Sequence, residues 1–239
     1  MQDKGMHGEQ LPRMQRNPTP RGEAKAERRA AILAASARLF AAGGFNGVTI
    51  EDLGAATGVS GPAIYRHFAG KQSVLAALLV GVSDDLVAGG HAAVAAAPDA
   101  ASALRSLVAF HVNFALTQPD VIRVQDRDLE NLSDADSHTV RTLQRRYVET
   151  WVDVLGALNP HADRGLLRTR AHAVFGLMNS TPYSTTSHAP ASNTAADEAA
   201  TLQDGHGHGH AHAHAHSAVR VLLEAMALGA LTIDLEGPG

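Results

Sequence analysis

Apolar residues recur every three or four positions along most of the chain, and sustained period-two alternation is missing. That pattern predicts helices and argues against a sheet. Ile32, Leu33, Leu39 and Phe40 make one broad stripe over residues 27–42, with Gly43 and Gly44 to end the helix and Phe45 dropping back toward the core. Thr49 reads as an N-cap, with Glu51 and Asp52 placing negative charge in the following first turn. Ile50, Leu53 and Ala56 supply that helix's apolar face, and Gly58 stands where a left-handed residue would end it. Ser60 reads as the next cap, with Pro62 in the first turn and Ile64 and Phe68 facing inward.

The rest of the chain continues in longer helices. Residues 71–94 form a connector striped by Val74, Leu75, Leu78, Leu79, Val82 and Leu86. Pro98 starts a helix burying Leu104, Leu107, Val108 and His111, and Pro119 restarts the chain into residues 121–132. Ser133 or Asp134 caps a long helix to Leu158, with Val140, Leu143, Tyr147, Val148, Trp151, Val154 and Leu155 inward. Asp163 opens another helix to Asn179, and a last one spans residues 218–231.

Residues 48–71, VTIEDLGAATGVSGPAIYRHFAGK, are the most informative stretch. Two short helices joined by a tight Gly-containing turn form a helix-turn-helix. Small residues open its second helix, which lets the backbone approach base edges, and polar side chains that reach phosphates follow. The longer run ILAASARLFAAGGFNGVTIEDLGAATGVSGPAIYRHFAGKQSVLAALL resembles the DNA-binding domain of the TetR family of bacterial repressors, over roughly fifty consecutive positions. Carried over residue by residue, the resemblance implies DNA contacts at Thr49, Ser60, Gly61, Pro62, Ala63, Tyr65, Arg66, His67 and Lys71. Tyr65, His67 and Lys71 would hold phosphates, and Gly61, Pro62, Ala63 and Arg66 would sit nearest the bases.

The implied fold is all-α. An N-terminal three-helix helix-turn-helix DNA-binding domain occupies residues 25–70, and a C-terminal helical ligand-binding and dimerisation domain occupies residues 71–239. The paired segments RVQDRDLENLSDADSHTVRTLQRRYVETW and FGLMNSTPYS are similar to actinobacterial members, some of which respond to acyl-CoA thioesters. That similarity implies a small apolar effector and makes Arg123, Arg127, Arg145 and Arg146 candidate partners for coenzyme A phosphates. The connector from Lys71 belongs to both domains and is the expected lever between them.

Charge agrees with a head that meets nucleic acid. Residues 1–80 hold ten Lys/Arg against six Asp/Glu, whereas the remainder holds ten against eighteen, so a net charge of −4 hides a basic end. So small an excess on one protomer suits a homodimer on a palindromic double-stranded operator. Residues 1–24, with Arg13, Arg16 and Arg21, read as a disordered basic arm, and Lys25 follows directly. Cysteine is absent, which excludes disulfides and thiolate metal sites. No run of about 18 apolar residues suggests a membrane span, and no secretory segment opens the chain, so a cytoplasmic protein without a cofactor is expected. No nucleophile–base pair, phosphate loop or paired carboxylates indicate an enzyme.

Polar residues beside apolar stripes are the candidate effector contacts: His111, Phe114, Gln125, Arg127, Arg146, Tyr147, Trp151, Phe175, Met178 and Asn179. The last two helices carry more apolar surface than one covering layer needs. Ala171, Val174, Phe175 and Met178, with Val221, Leu222, Ala225, Met226 and Gly229, are therefore expected to form a four-helix dimer interface. Residues 182–217 read as a low-complexity insert ending in HGHGHAHAHAH. In an extended chain His206, His208, His210, His212, His214 and His216 would share one side and form weak metal ligands. A metal-responsive regulator or metal-storing module is therefore the alternative function.

Overall fold

The computed structural model describes residues 20–180 and 207–233, and every regular element among them is helical. In chain order these are α1 (Pro20–Gly47), α2 (Ile50–Ala56), α3 (Gly61–Ile64), α4 (Lys71–Ala95), α5 (Ala100–Thr117), α6 (Pro119–Asp128), α7 (Asp134–Leu158), α8 (Arg164–Asn179) and α9 (Gly207–Thr232). A 3₁₀ turn (Leu129–Asn131) joins α6 to α7.

Four helix starts are set by short polar side chains. The Thr49 hydroxyl accepts from the Asp52 amide at 3.1 Å, Asp99 from Ser102 at 2.6 Å, Ser133 from Asp136 at 3.1 Å and Asp163 from Leu166 at 3.0 Å. Each such cap contributes about 1 kcal/mol by satisfying an amide the helix leaves orphaned. Ser60 stands at the N-cap position of α3 but makes no side-chain capping bond.

Two apolar cores result. The first gathers Ile32, Phe40, Leu53, Ile64 and Phe68 with Val74, Leu75 and Leu79 of α4, Val121 and Val124 of α6, and Val140 of α7. The amino-terminal head is therefore not closed by its own three helices; α4 and α6 complete its interior. The second gathers Leu104, Leu107, Trp151, Leu155, Leu167, Val174, Met178 and Ala227 from α5, α7, α8 and α9. At the end of α9, the buried Arg170 of α8 donates to the carbonyls of Leu231 (2.8 Å) and Ile233 (2.6 Å), which the helix cannot satisfy internally.

Several sequence expectations need correction. The arm expected over residues 1–24 already ends at Pro20, because a proline at a first helical position and the good helix formers after it start α1 there. Residues 1–19 lie outside the described residues, whereas residues 21–31 are helical and exposed. α1 breaks at Gly44 (φ 75°) and resumes for a few residues to Gly47. α5 starts at Ala100 rather than Pro98, since Asp99 caps it. α9 starts at Gly207 rather than near residue 218, so residues 207–217 extend a helix instead of closing an insert; alanine is the best helix former. The extended backbone that the alternating histidines would need is thus not what residues 208–216 adopt. Their side chains, and His206 altogether, lie outside the described residues. α4 is, among the described residues, the one helix long and apolar enough to cross a membrane, with mean hydropathy 1.5, although Ser83, Asp84 and Asp85 interrupt its apolar run. Its leucines and valines carry that value, and they are buried or half-buried against α1, α5 and α7, as in a core helix.

Candidate functional site

The helix-turn-helix is built by a close approach that demands glycine. Past the α2 C-terminus, Val59 donates to the Gly54 carbonyl (2.9 Å) and Gly58 to the Ala55 carbonyl (3.3 Å), with Gly58 left-handed at φ 67°. This double-bonded turn is a Schellman motif. It lies so tightly on α2 that a β-carbon at Gly54 would stand 2.7 Å from the Val59 carbonyl oxygen. Ile64 and Phe68 then plug α3 into the head core.

That packing leaves Thr49, Ser60, Pro62, Tyr65 and Arg66 exposed, with Gly61, Ala63, His67 and Lys71 half-buried. Tyr65 stands open there, at 57% exposure. Two cations brace the face from behind. Arg29 of α1 stacks 4.2 Å over the Phe68 ring and donates to the His67 carbonyl at 3.2 Å. Lys71 sits 4.4 Å over the Phe45 ring and donates to the Val48 carbonyl at 2.8 Å, so part of its hydrogen-bonding capacity serves the fold. The His67 Nδ1 is buried with no hydrogen-bond partner. Helical geometry holds only over Gly61–Ile64, and Tyr65, Arg66 and His67 follow in a turn.

Deeper in the chain, α4, α5, α6, α7 and α8 surround a cavity of about 230 Å³. Six expected contacts line it: His111, Phe114, Gln125, Tyr147, Phe175 and Asn179. Ser83, Leu86, Ile122, Gln144, Val148 and His172 join them, residues whose helical stripes gave no sign of a shared void. The His111 ring lies between two partners, with Nδ1 3.2 Å from the Tyr147 hydroxyl and Nε2 3.1 Å from Asn179 Oδ1. Burial pushes the His111 pKa down to about 4 against the opposing Asn179 bond, so the ring is neutral at pH 7. Burial also pushes the Tyr147 phenol up, opposed in part by the nearby Trp151 indole. Phe175 stacks on Tyr147 (centroids 5.6 Å) and meets His111 at 4.9 Å and Trp151 at 5.0 Å.

Four expected contacts do not line the cavity. Trp151 and Met178 are fully buried in the core behind it; the Trp151 N–H meets no acceptor in hydrogen-bonding geometry. Arg146 points to solvent. Arg127 is turned the other way, toward the head. It donates to the carbonyl of Phe40 and, at 3.3 Å, to that of Ala41, while pairing with the buried Asp128 at 3.0 Å. These carbonyls belong to the last turn of α1 before its break at Gly44, where orphaned acceptors and the helix dipole favour a cation. α6 thus caps α1 within the head core while its other residues reach the cavity wall. A second tie runs from Gln72 of α4 to the Asn131 carbonyl at 3.0 Å. Of the remaining arginines, Arg123 pairs with Asp120 (3.1 Å) and Arg145 donates to Thr142 (2.9 Å), neither on the cavity wall.

The expected dimer residues divide in two. Ala171, Val174 and Met178 are buried within the chain, and Phe175 belongs to the aromatic cluster; α5, α7 and α9 cover that stripe. The outward face of α8 carries His172, Ala173 and Gly176 instead. Val221, Leu222, Ala225, Met226 and Gly229 do lie exposed along α9, with Val221 at 63% and Leu222 at 58%. The side chains of Leu223, Ala227 and Leu231 face inward.

Comparison with known proteins follows the same division. Residues 32–78 match the family of bacterial regulatory proteins of the tetR type, and residues 97–183 match the tetracyclin repressor-like C-terminal domain. The HTH-type transcriptional repressor KstR2 of Rhodococcus jostii (strain RHA1) is 28% identical over 134 residues, spanning 56% of this chain and 66%, just under two thirds, of that protein. The structure of the ketosteroid transcriptional regulator KstR2 of Mycobacterium tuberculosis superposes with a TM-score of 0.61 at 19% identity, over 87% of this chain and 96% of that one. That of AibR in complex with isovaleryl coenzyme A and operator DNA superposes at 0.56 and 15% identity, over 65% and 86%. At these identities the two structures speak for the fold alone.

Proposed function

The chain belongs to the TetR family of bacterial transcriptional regulators, proteins that bind operator DNA and small effectors as dimers, and we propose that it is a cytoplasmic homodimeric repressor of a palindromic operator, released by a small molecule in the Tyr147 cavity. One observation carries this reading. α6 places Ile122 and Gln125 on the cavity wall and, two residues later, Arg127 on the end of α1. An effector that shifts α6 therefore acts on the helix behind the DNA-facing turn without an intermediary. The lever in this reading is α6 as well as the connector α4.

Thr49, Ser60, Gly61, Pro62, Ala63, Tyr65, Arg66, His67 and Lys71 form the DNA-facing surface in this proposal. The exposed apolar row of α9 forms the dimer face with the outer side of α8. An acyl-CoA thioester as effector is supported by the fold shared with AibR. On that reading only the acyl end enters the cavity, since none of Arg123, Arg127, Arg145 and Arg146 lines it. The metal-responsive alternative rests on histidines whose side chains lie outside the described residues, so no observation favours it.

A difference of about 3 kcal/mol in effector affinity between the two states would weaken DNA binding roughly a hundredfold. Footprinting on the DNA upstream of the protein's own gene, repeated with candidate effectors, tests the proposal. A symmetric footprint lost on adding effector is expected. A chain that ignores every duplex at low salt overturns it.

A further inference from the structure

The effector cavity has a definite chemical bias, and its reading here rests on the proposal that it is the effector site. Its wall contains no Asp, Glu, Lys or Arg. The polar groups are two histidines, a tyrosine and neutral hydroxyl and amide side chains. Of the histidines, His172 is exposed at the rim and His111 is buried.

Hydrogen-bond directions at His111 fix what remains for a ligand. Asn179 Oδ1 only accepts, so His111 Nε2 carries the proton and Nδ1 accepts from the Tyr147 hydroxyl. Both imidazole nitrogens are then used. The Tyr147 oxygen keeps a lone pair and Asn179 keeps its amide N–H groups. Gln125 and Gln144 also line the cavity, and neither side chain hydrogen-bonds to any described protein atom. Neutral donors and acceptors thus surround an apolar, aromatic space. An ion entering it would lose its hydration and find no countercharge within.

We infer that this cavity accepts an uncharged group bearing a carbonyl or hydroxyl and discriminates against carboxylates and ammonium ions. At about 230 Å³ it lies below the roughly 300–1,000 Å³ of drug-sized sites, so the group is small. The uncharged group is either a free neutral molecule, such as an ester, lactone or ketone, or the acyl end of a thioester whose charged carrier stays outside.

The chain has a single tryptophan, and Trp151 packs 5.0 Å from the Phe175 ring on the cavity wall, so its fluorescence reports occupancy without DNA. The full chain is titrated with matched fragments on several carbon skeletons, isovaleryl among them: methyl ester, N-acetylcysteamine thioester, coenzyme A thioester, free carboxylate and amine. Neutral members are expected to bind at least about a hundredfold more tightly than the carboxylate and amine. A simple ester that binds as well as the coenzyme A thioester identifies a free ligand, and a thioester much tighter than the ester identifies a carrier-bound one. Equal response to charged and neutral members, or failure of every neutral member, overturns the inference. Gln144→Lys supplies the missing countercharge and is expected to raise carboxylate affinity at least about tenfold; no gain in a folded variant counts against a neutral wall. Duplex binding without ligand, measured in parallel, separates failure of this inference from failure of the repressor reading.

Discussion

Replacing Arg127 with methionine keeps most of the side chain's stem and removes its charge and its fork of donors. The guanidinium donates to two carbonyls at the end of α1 and holds Asp128, whose side chain is 5% exposed. A hydrogen bond to a charged group contributes about 1.5–3 kcal/mol. Since the Arg127 side chain is itself 45% exposed, solvent screening places each bond at the low end. Asp128 is then left buried without its cation, which adds to the penalty. The expected loss is about 2–4 kcal/mol in urea unfolding, at unchanged m-value. Arg127→Lys is expected to recover less than half, because a point charge cannot bridge two carbonyls and a carboxylate together. The same variant tests coupling. Effector binding followed by Trp151 fluorescence should stay within about threefold of the parent, while the effector's roughly hundredfold effect on operator affinity should fall below about tenfold. A methionine variant within about 0.5 kcal/mol of the parent, with effector release undiminished, refutes the assignment of Arg127 as the tie between the cavity-lining helix α6 and α1.

The cavity histidine predicts a pH signature. The His111 pKa is about 4 when folded against 6.5 when free, so between these values the unfolded chain takes up a proton that the native chain refuses. The stabilisation is complete above pH 6.5 and is lost as pH falls toward 4, by about 3 kcal/mol; denaturant unfolding of His111→Phe should show a correspondingly flatter profile across that window. Gly54→Ala places a β-carbon 2.7 Å from the Val59 carbonyl and is expected to destabilise the head by about 1–3 kcal/mol, with a lowered melting temperature and weakened duplex binding. Leu222→Glu combined with Met226→Glu puts two charges into the exposed apolar row of α9; sedimentation should then show a monomer, and persistence of a dimer would move the interface elsewhere.

Local chemistry was legible in the chain, and long-range partnership was not. Thr49, Asp99 and Asp163 act on amides three residues away, so their identity and spacing are enough to mark a helix start. Thr49 and Asp163 are legible in that way, whereas at Asp99 the adjacent Pro98 is the louder signal. The inward stripe of α7 followed from periodicity, as did the link of Ile64 and Phe68 to the head core. Arg127 shows the limit. Its position on α6 places it among cavity residues, but only the three-dimensional approach of α1, more than eighty residues earlier, shows that it faces the other way. The α8 stripe failed for a related reason. Periodicity shows that Ala171, Val174 and Met178 share a face, but not whether α9 of the same chain or a second chain covers it. Gly54 gave no signal at all, because its role is the room it leaves for a turn. The helical start of α9 was hidden by a composition that reads as low complexity.

The exposed opening of α1 has a dynamic consequence. Residues 21–28, ahead of the Arg29 contact with Phe68 and His67, are helical with no buried face, so backbone bonds and side-chain pairs along the helix itself are what hold them. Isolated helices shorter than about 12–15 residues are marginal in water. Amide hydrogens in this stretch should therefore exchange with solvent orders of magnitude faster than those around Phe40, one helix later in its own length. Because Arg21, Lys25 and Arg28 ride on these same turns, a polyanion laid beside them would slow that exchange, and the ordering entropy would be charged against the affinity gained.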